Sequence, residues 1–183
     1  MGQECLEEIA KSGKKMLHLL EDLLALARVG QLERPSAGVS ATRVAEEVIQ
    51  ELAVDIIKAQ GKVTVGDLPA VYVPESLLAD LFRNLLTNAL RYAGDRPQIE
   101  IEGNHFGGCS CLLVRDHGPG IPSVERELVF EPFMRGSSGE KIPGTGIGLA
   151  TVRKIVRLYS GQVRIEETPG GGATFILEFF DPQ

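Results

Sequence analysis

Four short segments in a fixed order constrain this chain more than any other feature. They read Asn84-Leu-Leu-Thr-Asn88, Asp116-His-Gly118-Pro-Gly120, Phe130-Glu-Pro-Phe133 and Gly144-Thr-Gly146-Ile-Gly148-Leu. Glycine lets a backbone take positive φ and approach a ligand closely, so two glycine segments flanking a Phe-rich stretch point to loops built around something bound. Each segment by itself has an ordinary explanation: exposed helix asparagines, an Asp-Gly turn, a flexible linker.

The surroundings place each segment. Ser40 caps a helix through Val44, Val48, Leu52 and Ile56 that stops at Gly61. Lys62–Val65 and Val71–Val73 read as short strands around the Leu68-Pro69 turn. A helix runs from Pro74 to Gly94, with proline early and glycine late. Ile99–Glu102 and Cys109–Arg115 read as strands joined at Gly107-Gly108, and a second helix spans Gly148–Tyr159 and ends at Gly161. Val163–Glu167 and Ala173–Phe180 form a hairpin around Thr168–Gly172. Helices that alternate with hairpin-linked strands predict an α+β, two-layer sandwich with a mixed sheet and about three helices.

Ahead of this lies a seven-residue repeat. Leu6, Gly13, Leu20 and Ala27 form one row; Ile9, Met16 and Leu23 a second; Ala10, Leu17 and Leu24 a third. Three adjacent apolar rows suit a long amphipathic helix inside a bundle. No matching partner helix is evident elsewhere, so pairing with a second chain or an absent segment is expected; the alternative is a helix folded back on its own domain. The chain therefore divides into residues 1–30, a linker over 31–39 and a domain over 40–183.

Composition narrows the function classes. The formal charge of −6 argues against a nucleic-acid surface, which needs clustered Lys and Arg. No apolar run approaches the roughly 20 residues that span a bilayer, and Met1 opens no signal-peptide pattern, so no membrane contact is expected of these 183 residues. Three cysteines fit a reducing, cytoplasmic setting better than a disulfide framework, and Cys109 and Cys111 read as ordinary strand residues.

On the helix from Pro74 to Gly94, Leu78, Leu81, Leu85 and Ala89 form the buried stripe, while Asn84, Asn88 and Arg91 share another face. Asparagine is a poor mid-helix residue, and its amide oxygen is a good ligand for Mg²⁺, which also takes phosphate oxygens. Asp116, at a strand end beside glycines, is placed to accept a hydrogen bond from an exocyclic amine, which adenine and guanine both offer. Gly144–Leu149 enters a helix, where backbone N–H groups and the positive dipole end suit phosphate. It is not a P-loop, because no Lys-Ser or Lys-Thr follows, and no strand of a βαβ unit precedes it. Residues 121–143 are expected to act as a lid, with Phe130 and Phe133 as anchors and Arg135 within reach of a terminal phosphate.

In this order the segments, and the stretch from about Ser40 to Phe180, resemble the catalytic and ATP-binding domain of two-component sensor histidine kinases, within the larger family shared with gyrase, Hsp90 and MutL ATPases. The resemblance implies that Asn88 coordinates Mg²⁺ with Asn84 beside it, and that Asp116 binds the adenine amine. Gly118, Gly120 and Ile121 would shape the base pocket. Gly144, Thr145, Gly146, Gly148 and Leu149 would hold phosphates, with Arg91, Tyr92, Phe130, Phe133 and Thr174 completing the ATP contacts. ATPase members carry a Glu four residues before the metal-binding Asn, where it activates water; this chain has Asn84, which cannot serve as a general base. That favours phosphoryl transfer to a side chain. Met16–Arg28 also resembles the second helix of the family's dimerisation domain, which implies a homodimer through this helix and a response regulator receiver domain as partner. The first helix with its phosphorylatable His is not present, and His18 lies on a polar row. The expected identity is the catalytic piece of such a kinase, of itself unable to autophosphorylate. The alternatives are an anti-sigma-factor-type serine kinase and a nucleotide-binding pseudokinase scaffold.

Overall fold

The structure, a computed structural model, describes residues 32–134 and 144–182 together with Gly13, Met16, Leu20 and Leu24. Those four early residues are helical, and Met16, Leu20 and Leu24 are 61%, 56% and 55% exposed, so an apolar row faces solvent.

Among the described residues, seven strands and four α-helices follow. β1 (Val39–Ser40) leads into α1 (Ala41–Glu51) and α2 (Ala53–Lys58); β2 (Lys62–Val65) and β3 (Ala70–Val71) precede α3 (Glu75–Tyr92). β4 (Gln98–Phe106) and β5 (Cys109–Asp116) are a hairpin, and α4 (Gly148–Leu158) is followed by β6 (Gly161–Glu167) and β7 (Ala173–Phe180). The main sheet has the order β2-β4-β5-β7-β6; β2 and β4 run parallel and every other pair antiparallel. β1 and β3 form a separate two-stranded ladder. The fold is therefore α+β with a mixed sheet, as expected.

Alternation along the strands makes two layers. Ser110, Leu112, Val114 and Asp116 of β5 are buried, while their intervening neighbours are only half-buried. The buried face joins Ile99, Ile101, Phe175 and Leu177 to Leu78, Leu81, Phe82 and Leu85 of α3 and to Val152 and Ile155 of α4 in one core. α3 packs against both α1 and α4. The opposite face is polar: Arg115 pairs with Glu102 at 2.6 Å and Arg164 with Glu178 at 2.8 Å. One consequence matters for the site. Asp116 is the last residue of β5 and its side chain falls on the helix side, at the mouth between the layers.

The expected helix to Gly61 is interrupted at Leu52, whose φ and ψ are −87° and 4°. Leu52 is the last buried residue of the run, and beyond it Ile56 alone of α2 packs, half-buried, against the core, so little core contact holds the helix straight. α2 ends with Gln60 rather than Gly61 in the left-handed region (φ 52°), with N–H groups of Gln60 and Gly61 bonded back to Ile57 and Ile56. The strand expected at Val71–Val73 is Ala70–Val71, paired with Val39 and Ser40. Part of the expected linker is docked: Arg34 donates to the carbonyls of Tyr159 (2.8 Å) and Phe180 (3.0 Å), and the Tyr159 hydroxyl donates to Leu32 O at 2.9 Å.

Phe82 is fully buried and Ser40 caps α1 by accepting the Arg43 N–H at 3.3 Å. Phe82→Ala is expected to cost about 3–5 kcal/mol and Ser40→Ala about 1 kcal/mol in urea denaturation. Equal effects from the two would contradict this account of the core.

Candidate nucleotide site

Asp116 is held by backbone on two sides. Its Oδ1 accepts the Gly118 N–H at 2.9 Å and the Ala173 N–H at 3.2 Å, tying the loop after β5 to the start of β7. Both bonds to described residues end on Oδ1, which leaves Oδ2 for an incoming donor. The residue is 8% exposed. Burial pushes its carboxyl above the usual aspartate range, against the opposing pull of the Gly118 and Ala173 donors and of His117. The approach is close: a Cβ on Gly172, whose φ is 117°, would fall 2.0 Å from the Asp116 carbonyl oxygen. Only glycine fits there. A Cβ on Gly118 would lie 2.5 Å from Ala93 Cα, just past the end of α3, so this loop runs between α3 and the β6–β7 turn.

The second glycine segment lies along the polar face of α3. A Cβ on Gly148 would sit 2.8 Å from Asn84 Oδ1, and one on Gly144 would sit 3.7 Å from Arg91 Nη1 and 3.9 Å from Tyr92 Oη. The segment therefore passes Asn84 at its end and Arg91 and Tyr92 at its start, with Asn88 one turn from each. Asn84, Asn88 and Tyr92 are half-buried and Arg91 is exposed. α4 opens at Gly148 behind Ile147, whose own side chain supplies no cap, so the side chain that comes nearest this positive end is Asn84 from α3. Thr145 Oγ1 accepts the Ile147 N–H at 3.4 Å. Gly120, with φ 75°, abuts the carbonyl of Gly172. The side chains of Ile121 and Leu149 are half-buried against the hydrophobic core, so they support the two loops from beneath.

The Phe-Glu-Pro-Phe segment departs from expectation in one anchor. Phe130 is 1% exposed and meets Phe175 edge-on, with ring centroids 6.5 Å apart. Phe133 is 63% exposed with φ 66°, and holds the chain through its backbone instead: its N–H donates to Gly146 O at 2.9 Å. Residue 135 and the rest of 135–143 lie outside the described residues, which leaves the expected Arg135 role without a position.

Thr174 is the expected contact that is not brought to the site. Its register partner is Arg115, on the sheet face away from Asp116, and its hydroxyl is bonded to that of Thr168 at 2.9 Å. The neighbouring Ala173 is the residue that meets Asp116. Sequence reasoning also passed over Arg153. Its guanidinium lies 5.5 Å from the Phe130 ring centroid, 2.5 Å from Glu131 and 4.0 Å from Glu127. The acidic pair Glu127 and Glu131 at i, i+4 was visible, but nothing local named its partner.

Comparison with known proteins places this geometry. The family model described as histidine kinase-, DNA gyrase B- and HSP90-like ATPase matches residues 74–183. The chain belongs to this ATPase family. It is 31% identical over 170 residues to phytochrome-like protein Cph1 of Synechocystis, covering 92% of this chain and 23% of Cph1. It is 32% identical over 171 residues to the methanogenesis regulatory histidine kinase FilI of Methanothrix harundinacea, covering 92% of this chain and 19% of FilI. The chain thus spans about a fifth of the length of these relatives. Among solved structures, a mycobacterial sensor histidine kinase, MprB, superposes with TM-score 0.70 at 27% identity, over 80% of this chain and all of that one. The family match covers α3, both glycine segments and β7, the elements that carry the site.

Asp116→Asn keeps an acceptor for Gly118 and Ala173 but replaces Oδ2 with an NH₂ group, which opposes an amine donor. Nucleotide affinity is expected to fall by roughly 10- to 100-fold, the worth of one to two buried hydrogen-bond penalties. Because burial raises the Asp116 pKa, the acceptor is lost as pH drops from above the ordinary aspartate range, so wild-type affinity should weaken on mild acidification. Calorimetric titration across pH checks both; affinity flat through the acidic range would overturn the assignment of Asp116.

Proposed function

We propose that this chain is the ATP-binding catalytic part of a sensor histidine kinase, which passes the γ-phosphate of ATP to a His on another segment for relay to an Asp of a response regulator. The observation that carries this reading is the apposition of the uncapped start of α4 and Gly144–Gly148 to the Asn84–Arg91 face of α3. With the adenine amine on Asp116 Oδ2, the triphosphate would run towards that face, over N–H donors and the positive end of α4.

Asn88 has the chemistry to hold Mg²⁺. Among the described residues there is no group of three or more His, Cys, Asp or Glu that could bind a metal. A hard cation here would take one amide oxygen, phosphate oxygens and water, the usual coordination of Mg²⁺ with nucleotides. Bound there, it would neutralise charge building on the phosphates. Asn84 has no proton-accepting group, which leaves water without a base and favours transfer to a positioned side chain. The exposed row Met16, Leu20 and Leu24 supports pairing with a second copy through the N-terminal helix, as a kinase dimer would require. No helix among the described residues is long and apolar enough to cross a membrane.

ATP titrated into the purified chain with and without Mg²⁺ should bind with micromolar to sub-millimolar affinity, more tightly with the cation. Incubation with ATP should leave little acid-labile phosphate on the chain, because its three His lack an acceptor context. Absence of ATP binding would sink the reading; near-stoichiometric acid-labile phosphate would show that the acceptor is within these residues.

A further inference from the structure

Arg153 stands out among the side chains outside the site. It projects from α4, its side chain is only 14% exposed, and three groups of the Glu127–Glu131 stretch surround it: the Phe130 ring, the Glu131 carboxylate and, farther off, the Glu127 carboxylate. The guanidinium is mostly enclosed and its charge faces two acids. It is a fastening between two parts of the chain 22 residues apart.

What the fastening holds follows from connectivity. Glu131 is two residues before Phe133, and the Phe133 N–H is bonded to the carbonyl of Gly146 at 2.9 Å. A Cβ on Gly146 would fall 2.9 Å from the Phe133 backbone, so the two strands of chain touch directly. Gly146 is two residues before the first residue of α4, and Arg153 lies five residues into that helix. The path Arg153–Glu131–Phe133–Gly146–Gly148 is thus a closed loop: α4 grips the Phe130–Phe133 segment with its side, and that segment grips the glycine segment at the start of α4. A glycine segment has little conformational stiffness of its own. Buried Ile147 and the Thr145 hydroxyl hold the middle of the segment, and the loop through Arg153 adds the hold on the Gly146 carbonyl that helps set where the following N–H groups point.

We propose that Arg153 is a positioning residue for phosphate binding: by pairing with Glu131 and stacking on Phe130 it sets the geometry of Gly144–Gly148, without touching the nucleotide. The inference rests on the nucleotide reading given above. It differs sharply from direct phosphate contact by Arg153. Neutralising Glu131 leaves the Arg153 charge in place and removes its counter-charge. A direct contact would then strengthen ATP binding, whereas a positioning role weakens it.

The test uses the whole chain with Glu131→Gln, Arg153→Ala and the double variant, each first shown to melt cooperatively as the wild type does. ATP and adenosine affinities are measured side by side, adenosine by competition. Each single variant should weaken ATP roughly 3- to 10-fold, with the double variant no worse than the Arg153→Ala single, as expected for two groups acting through one contact. Adenosine should bind all forms alike, because Asp116 is untouched; a general loss of structure would weaken both ligands. Unchanged or tighter ATP binding by Glu131→Gln, or equal losses for ATP and adenosine, would overturn the proposal. A wild-type chain that binds no ATP would instead remove the nucleotide reading beneath it.

Discussion

Two backbone N–H groups converging on one oxygen of Asp116 organise this domain's functional end. The bonds from Gly118 and Ala173 tie the loop after β5 to the start of β7, which lies 57 residues from Asp116 in sequence, at the end of β5 where the sheet and helix layers part. Oriented carboxylates usually lose freedom by pairing with a cation; this one is oriented by neutral donors, so its charge is not cancelled. The result is a buried acceptor with one oxygen spent on structure and one left over. Burial raises the cost of keeping that oxygen ionised, which the protein tolerates only because two N–H dipoles face it. The same arrangement explains the crowding around it. Gly172 must pass within contact of the Asp116 carbonyl for the Ala173 N–H to reach the carboxylate, and no side chain can be accommodated there.

From this fixed point the rest of the site is set by helix geometry. α3 ends beside Gly118, and its polar face runs back from there through Arg91, Asn88 and Asn84 at spacings of three and four. α4 packs along α3, so its first turn meets that face at Asn84. On the proposed reading, a ligand with an amine at one end and phosphates at the other would span the two glycine segments, whose separation α3 sets. The buried leucines of α3 are therefore part of the site's construction although none of them lines it.

Where the pattern was local, the sequence could be read directly. Asp116 and its glycines, the asparagine face and the glycine entry to α4 all depend on spacings within one element and its flanks. The strand-like apolar run of β5 ending at Asp116 was plain, and so was the apolar stripe of α3. The misreadings share a cause: each turned on a relation between distant segments. Thr174 and Ala173 differ by one residue, and strand register, set by pairing with β5, decides which of them faces the site. Phe133 looks like an anchor beside Phe130, yet its positive φ carries the ring to solvent and leaves the backbone to make the contact. The β1–β3 ladder is two residues long, too short for a periodic signal. Arg153 reads as one basic residue among several on α4 until the fold sets Glu131 against it.

At Asn84, helix electrostatics alone would favour an acid. The residue touches the start of α4, where a carboxylate would gain about 0.3–1 kcal/mol from the helix dipole. An amide forgoes that gain. In the proposed reading it also spares the phosphates a negative neighbour, and it deprives water of a base at the point where the terminal phosphate would lie. Asp116 shows that this chain can keep a carboxylate buried when it has donors to face it. At Asn84 the donors of the α4 terminus are at hand, and still there is no acid. On the proposed reading, a site that meets its charged partner with N–H groups and amides, and keeps the one buried carboxylate among the described residues at the far end, would suit presenting a phosphoryl group to an acceptor more than hydrolysing it.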